Sequence, residues 1–251
     1  MFDPPVKTLL VDLDGTLVGN HQFPLSFDFV KRSLTALRKY GGWKKSVSTL
    51  LAIHKELSRT SKELTNDVRV VNLFAERMGL EQEKARLVLR GALQSIFPQL
   101  QKYFYPIPGS HDFLDWAKDR YPMVLATNPV WPPEIIHLRV QWAGVDPSIF
   151  RSITHARRMH AAKPTPDYYT EILEQEGLRA EDCLLIGDDV RMDLPATLVG
   201  IRVFIVGDSK KNPKLSKLRF PKAKAPAWSG NYRLLRDALA DELPPRKGRK
   251  A

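Results

Sequence analysis

The sequence predicts an α/β protein: a parallel, doubly wound sheet interrupted near its start by an all-helical insertion. Three observations carry that prediction. Residues 106–206 alternate short apolar runs with helical patterns, as strand–helix units of a parallel sheet do. Residues 8–17, Thr-Leu-Leu-Val-Asp-Leu-Asp-Gly-Thr-Leu, form an isolated apolar strand that ends in two carboxylates. Between these stretches, from about residue 24 to 104, only helical periodicity is present.

Leu9, Leu10 and Val11 are the aliphatic run expected of a strand buried on both faces. Asp12 and Asp14 fall at its carboxyl end, where ligands of open α/β sheets bind. Residues i and i+2 of an extended chain share a side, so both carboxylates can converge on one point. Gly15 lets the backbone turn sharply beside them. Two acids so close repel unless a cation sits between them or one holds a proton. The helical stretch then repeats Phe27, Val30, Leu34 and Leu37, followed by Leu50, Leu51, His54 and Leu57. It continues with Val70, Val71, Phe74, Ala75 and Met78, then Ala85, Val88, Leu89, Leu93 and Phe97. Gly41-Gly42 and Met78-Gly79 break the run, and Pro98 closes it.

Alternation resumes at Pro106-Ile-Pro-Gly109, with a helix over 110–119 and a strand over 123–127. Pro132 and Pro133 suit the first turn of a helix reaching about Gly144. A strand over 149–154, a helix over 166–176 and a strand over 183–187 follow. A short helix over 194–200 leads to an edge strand over 203–206. Residues 208–226, rich in Lys and Pro, read as an exposed loop, and 232–243 as a closing helix. The expected division is therefore a core from 1–20 and 105–243, a helical insertion over 21–104, and a basic disordered tail over 244–251.

At 251 residues the chain is long enough for one large domain or two small ones. Its 43% hydrophobic and 27% charged residues are those of an ordinary soluble globular protein. No apolar run approaches the length needed to cross a bilayer, so a membrane partner is not expected. The opening Met-Phe-Asp-Pro-Pro-Val-Lys lacks a basic region followed by an apolar stretch, so a secretory signal is not expected either. Cys183 is the one cysteine, which excludes an intrachain disulfide and argues against a thiolate zinc site. It reads as a small apolar filler, and a reducing cytoplasm is the expected compartment. The net charge of +11 is uneven: residues 207–251 hold 13 Lys and Arg against 4 Asp and Glu. The first 206 residues carry 26 against 24, so a nearly neutral domain precedes a basic segment.

Three further strand ends carry polar groups. Thr127-Asn128 follows Val124-Leu125-Ala126, and Lys163 lies in a loop before a helix, with Pro164 stiffening the chain after it. Gly187-Asp188-Asp189 follows Leu184-Leu185-Ile186, with Asp193 a turn further on. Taken singly, Thr127 is a capping hydroxyl, Lys163 a surface lysine and Gly-Asp-Asp a turn. Groups from separate strands that meet at one sheet edge make a site.

In these four motifs the chain resembles the haloacid dehalogenase superfamily, most nearly its phosphatase branch with a helical cap after the first motif, the phosphoglycolate phosphatase-like type. The resemblance spans about residues 8–206. It implies a Rossmann-like core with the insertion as a cap, and a Mg²⁺-dependent phosphomonoesterase acting on a small soluble phosphate ester. Asp12 is the candidate nucleophile, since a carboxylate can divide one hard displacement into two easier ones. Asp14 is the candidate general acid and base. Thr127 and Asn128 are candidate phosphoryl-binding groups, and Lys163 places positive charge on the transferring group. Asp12 and Asp188 offer the all-oxygen donors that suit Mg²⁺. The resemblance adds the Asp14 main-chain carbonyl as a ligand, sets Asp193 behind the metal or Lys163, and favours Asp188 over Asp189.

The dehalogenase branch lacks the second aspartate of the first motif, so Asp14 argues for phosphate chemistry. Lys55 lies loosely where a phosphonate-cleaving branch carries a Schiff-base lysine, but Glu56 and nearby Ser and Arg mark a solvated helix face. His21 is a poor match for the cap-side relay of a sugar-phosphate mutase and reads as a solvent-facing hinge residue. Trp131 has two readings, as a platform for substrate or as a core indole. Arg157, Arg158 and His160 read as a solvated basic loop, with a second substrate anion as the alternative. Nucleic acid is an alternative partner for Lys210 to Lys224 and Arg246 to Lys250, since clustered lysines bind phosphates without regard to sequence. It is not favoured, because Phe220, Trp228 and Tyr232 make no evident stacking platform.

Overall fold

Leu9, Leu10 and Val11 are fully buried because their strand lies inside a sheet covered on both faces. In the computed structural model, which describes residues 5–57, 59–61, 63–207 and 228–241, this strand is β1 (Thr8–Val11). It pairs in parallel with β4 (Met123–Leu125) and β6 (Cys183–Gly187). β5 (Ser152–Ile153) extends the sheet beyond β4, and β7 (Arg202–Val206) and β8 (Trp228–Gly230) extend it beyond β6. The order is β5-β4-β1-β6-β7-β8, and every pairing is parallel.

Alternate residues of each strand serve opposite layers. Leu9, Val11, Leu184 and Ile186 pack on α4 (Ser110–Ala117), α5 (Pro133–Trp142) and α8 (Tyr232–Ala240). Leu10, Cys183 and Leu185 pack on Tyr168, Tyr169 and Ile172 of α6 (Pro166–Glu176) and on Leu194 and Ala196. The core is thus doubly wound, Rossmann-like in its layering. Cys183 is wholly buried, and burial pushes its thiol up to about 12, in keeping with an apolar filler.

The insertion is helical. α1 (Gln22–Leu57) bends at Gly42, whose φ of 71° is left-handed and so favours glycine. α2 (Asn66–Met78) ends on a left-handed Gly79, and α3 (Gln82–Ile96) follows. Leu37, Val71, Phe74, Ala75, Met78 and Ala85 give these helices their own core. Pro98 does not end the run: it sits in the first turn of a 3₁₀ segment, Phe97–Tyr103, where its missing N–H is not needed.

The chain enters and leaves the insertion through an antiparallel ribbon of β2 (Val18–Asn20) and β3 (Phe104–Pro106). The periodicity reading contained neither strand, because three residues are too few to show alternation. Two further elements differ from the sequence expectation: 149–154 is strand only at Ser152–Ile153, and the helix expected over 194–200 is a 3₁₀ segment, Leu194–Val199, preceded by a short α7 (Val190–Asp193). The basic loop over 208–226 and the tail over 244–251 lie outside the described residues. Among the described residues no helix is long and apolar enough to cross a membrane.

Candidate active site

The carboxyl ends of β1, β4 and β6 bring Asp12, Thr127 and Asp188 to one edge of the sheet. The Asp12 amide donates to the Ile186 carbonyl at 2.9 Å, which carries β1 pairing one residue beyond the strand and fixes its side chain opposite β6. The Ala126 amide does the same for β4, donating to the Val11 carbonyl at 2.7 Å. Gly15, with φ of 77°, then turns the chain, and the Asp188 carboxylate lies where a Cβ on Gly15 would stand. Gly187 likewise leaves room for the Asp193 carboxylate.

Lys163 reaches this edge from the loop before α6. Its side chain is 2% exposed, and Nζ donates to Asp12 Oδ1 and to Asp193 Oδ1, both at 2.7 Å. Burial alone would favour the neutral amine, but Asp12 and Asp193 outweigh it and hold the ammonium well above the ordinary lysine range. Asp193 also accepts the Asp189 amide through Oδ2 at 3.1 Å. One oxygen from each of Asp12, Asp188 and Asp193 lies within 4.8 Å of the others. Burial first, then the neighbouring Asp12 and Asp193 charges, push Asp188 up to about 7. Burial likewise raises Asp193, to about 6, although Lys163 pulls it down. Three carboxylates therefore share one buried ammonium, and the excess negative charge stands among oxygen donors only. A divalent hard cation fits both the charge and the donor set, with Asp12 Oδ2 and the Asp188 carboxylate not bonded to Lys163, whereas both Asp193 oxygens are already taken by Lys163 and the Asp189 amide. Thr16 Oγ1, wholly buried, lies 3.3 Å from Asp12 Oδ2 and 3.4 Å from Asp188 Oδ1 and spans the same pair.

Thr127 is wholly buried, and its carbonyl accepts from Tyr168 Oη and Thr154 Oγ1, each at 2.7 Å. Those bonds fix the backbone and leave the side chain unused: Thr127 Oγ1 and Asn128 Oδ1 are buried without a protein partner. Unmet polar groups at a buried strand end are costly; a ligand oxygen would accept from the Thr127 hydroxyl, and a water or ligand donor would meet Asn128 Oδ1. Asp14 turns away from this cluster. Its carboxylate forms an ion pair with Arg139 of α5, whose side chain is 6% exposed and lies 5.8 Å from the Phe104 ring centroid. Burial lowers the Arg139 guanidinium to about 10, and the Asp12 charge opposes that fall.

Five candidate residues are thus gathered at one edge: Asp12, Lys163 and Asp188, with Thr127 and Asn128 at the neighbouring strand end. Asp193 holds Lys163, and Asp14 stands on the Arg139 side. Asp189 caps α7 through the Arg191 amide at 2.7 Å instead. Lys55 and His21 are exposed, His21 against Tyr105 with ring centroids 5.2 Å apart. Trp131 is a packing residue: it meets Phe29 and Phe97 of the insertion edge-on at 5.5 and 4.9 Å. Arg157, Arg158 and His160 are each taken up by a glutamate, namely Glu134, Glu176 and Glu171. Sequence reasoning missed Arg139 and Thr16. The signal for Arg139 was a charge at a core position, i+3 from Ile136 and i+4 from Ile135. Thr16 stood within the Asp-Gly-Thr motif.

A family model described as haloacid dehalogenase-like hydrolase matches residues 6–197. No curated protein matches the sequence. Among solved structures the chain is similar to a HAD phosphatase from Thermococcus onnurineus, at 18% identity, with 93% of this chain and 98% of that one covered and a TM-score of 0.60. A 2-haloacid dehalogenase from Pseudomonas syringae pv. Tomato aligns at 16% identity over 95% and 100% of the two chains, TM-score 0.61. The HAD-hydrolase YfnB of Bacillus subtilis, solved bound to magnesium, aligns at 18% over 94% and 99%, TM-score 0.54. At these identities the likeness is one of fold.

Proposed function

The chain belongs to the haloacid dehalogenase-like hydrolases, and from that premise we propose that it is a Mg²⁺-dependent phosphomonoesterase acting on a small soluble phosphate ester through Asp12. One observation carries the reading. Buried Thr127 Oγ1 and Asn128 Oδ1 stand unpartnered at the strand end next to a carboxylate cluster that holds only one ammonium. A phosphoryl group would supply acceptors for Thr127 and Lys163, and a divalent cation would balance the carboxylates. The second aspartate of the first motif, Asp14, supports this reading over dehalogenation, which needs no proton donor of that kind.

In the proposed first half-reaction an Asp12 oxygen attacks phosphorus and the phosphorus–alkoxide bond breaks. Asp14 gives its proton to the departing alcohol. Lys163 and Thr127 hold the phosphoryl oxygens and offset their charge. In the second half-reaction water attacks phosphorus and yields its proton to Asp14. The Asp12–phosphoryl bond breaks, and phosphate and the original carboxylate are released. Mg²⁺ held by Asp12, Asp188 and the Asp14 carbonyl would add positive charge at the transferring group. Arg139 orients the Asp14 carboxylate through their ion pair. The Lys55 exposure removes support from a Schiff-base mechanism, since a solvated lysine is not activated.

The test is phosphate release from a panel of phosphate esters, with Mg²⁺ and with chelator, wild type beside Asp12→Asn. Hydrolysis that requires both the metal and Asp12 is expected, and the ranking of esters would define the substrate class. Release by Asp12→Asn above background, or none from any ester by wild type, would overturn the reading.

A further inference from the structure

Besides the β2–β3 ribbon, the helical insertion touches the core through the first turn of α2. Asn66 is wholly buried there. Its amide donates to the Met159 carbonyl at 2.9 Å, and its Nδ2 donates to the carbonyls of Pro129 and Ala161, both at 3.2 Å. Its Oδ1 accepts from Arg69 Nη1 at 3.1 Å. The carboxamide therefore uses both donor hydrogens and its acceptor, a complete account for a buried Asn. Next to it the Asp67 amide donates to the Ala156 carbonyl at 2.9 Å, and the Ser61 amide to the His160 carbonyl at 3.3 Å. Arg69, itself buried, also donates to the His160 carbonyl at 3.3 Å and to the Arg59 carbonyl at 2.8 Å, and it pairs with Glu56.

The two carbonyls that share the Asn66 carboxamide belong to different loops. Pro129 follows Asn128 in the loop after β4, and Ala161 stands two residues before Lys163 in the loop after β5. The two loops also meet directly, where the Ala156 amide donates to the Trp131 carbonyl at 2.8 Å and Thr154 Oγ1 to the Thr127 carbonyl at 2.7 Å. Asn66 joins them, and it does so from the insertion. The aromatic contact of Phe29 and Phe97 with Trp131 secures the neighbouring part of the insertion to the same loop.

We infer that Asn66 is a positioning residue: it holds the Asn128 loop and the Lys163 loop in register, and makes the insertion a roof tethered over the site at a third point beyond its two linkers. The catalytic consequence rests on the phosphatase reading, whereas the tether rests on the hydrogen bonds alone. A one-ångström misplacement of such loops would move Lys163 and Asn128 off the proposed phosphoryl position, while the backbones of Asp12 and Asp188 stay anchored at the ends of β1 and β6.

The experiment has two arms. In the first, Asn66→Asp and Arg69→Lys are assayed beside wild type and Asp12→Asn on the best-hydrolysed ester. Asp has the shape of Asn but sets an oxygen against two carbonyl oxygens, so it keeps the packing and removes the donation. Asn66→Asp should lose kcat by about 10- to 100-fold, and Arg69→Lys by less, with the Mg²⁺ concentration for half-activation changed by less than about twofold. A loss that instead tracks weakened Mg²⁺ activation, or wild-type kcat in both variants, would overturn the positioning role. In the second arm, hydrogen exchange of the wild-type protein reads the Asn66 and Asp67 amides. Protection equal to that of the α2 interior supports the tether, and exchange as fast as an exposed linker overturns it. This arm decides the tether even if Asn66→Asp fails to fold. It also decides it if wild type hydrolyses no ester, which would count against the phosphatase reading.

Discussion

Replacing Lys163 with Met removes the one cation inside the carboxylate cluster. The lysine side chain is 2% exposed, and its partners Asp12 and Asp193 are 9% and 1% exposed. Removing one partner of a buried ion pair costs about 3–5 kcal/mol, because the charges left behind have neither water nor a counter-ion. Proton uptake relieves part of that cost, since Asp193 stands at about 6 and Asp188 at about 7 even with the lysine present. We therefore expect about 3 kcal/mol lost at pH 8 in chelator, and less at pH 6. For a chain of this size that is a fall of roughly 6–12 °C in melting temperature. Mg²⁺ supplies the missing charge, so its stabilising effect should be larger in the variant than in wild type. At a concentration one hundred times the dissociation constant, ligand binding adds about 2.7 kcal/mol to any protein, and the tighter site gains more at equal metal. Differential scanning calorimetry of both proteins, with chelator and across a Mg²⁺ series, measures each quantity. A variant that melts within about 2 °C of wild type in chelator, or that gains no more from Mg²⁺, would refute the placement of Lys163 as the buried counter-charge.

Three other outcomes follow from the same geometry. Arg139→Gln should slow hydrolysis of alkyl phosphates by about 10²-fold but spare formation of the phosphoenzyme from p-nitrophenyl phosphate, whose leaving group needs no proton; pre-steady-state bursts on the two substrates measure this, and an equal loss on both would show that Arg139 does not act through Asp14. Thr127→Val deletes a buried hydroxyl with no protein partner, so stability by urea unfolding should stay within about 1 kcal/mol of wild type while kcat/KM falls about 10- to 100-fold. Asp188 and Asp193 bind protons more tightly folded than unfolded, so the metal-free protein should lose stability as pH rises from about 4 to about 7, and Mg²⁺ affinity should climb over pH 6–7 as the same protons leave; isothermal titration at pH 6 and pH 8 reads the second trend, and pH-independent affinity would contradict it.

The sheet and much of the site were legible because their signals are local and chemical. β1, β4 and β6 are built on the apolar runs over 9–11, 124–126 and 184–186, and each run leads within two residues to a polar group at the strand end. Lys163 carried no local signal. It entered through the order of motifs along the chain, and its 2.7 Å contact with Asp12, 151 residues away, is a property of the parallel sheet that brings those ends together. Arg139 was hidden because a lone arginine in a helix reads as a solvated charge, and the partner that makes a buried guanidinium tolerable, Asp14, lies on another element. Asn66 was hidden for a similar reason, since an Asn before a helical run reads as a cap whatever else its carboxamide holds. Trp131 was undecided because sequence cannot tell a ring exposed to substrate from one packed on Phe29 and Phe97. The β2–β3 ribbon is too short for a period, so the linkers of the insertion appeared only in the structure.

The central claim is that Asp12 becomes covalently phosphorylated. Acid-quenched turnover with the best ester in Mg²⁺, followed by mass spectrometry of the peptide that contains residues 8–17, tests it most directly. The account predicts an added phosphoryl group on Asp12 that hydroxylamine removes and that Asp14→Asn makes more abundant, because its dephosphorylation is slowed. Turnover with Asp12 unmodified in both wild type and Asp14→Asn would contradict it.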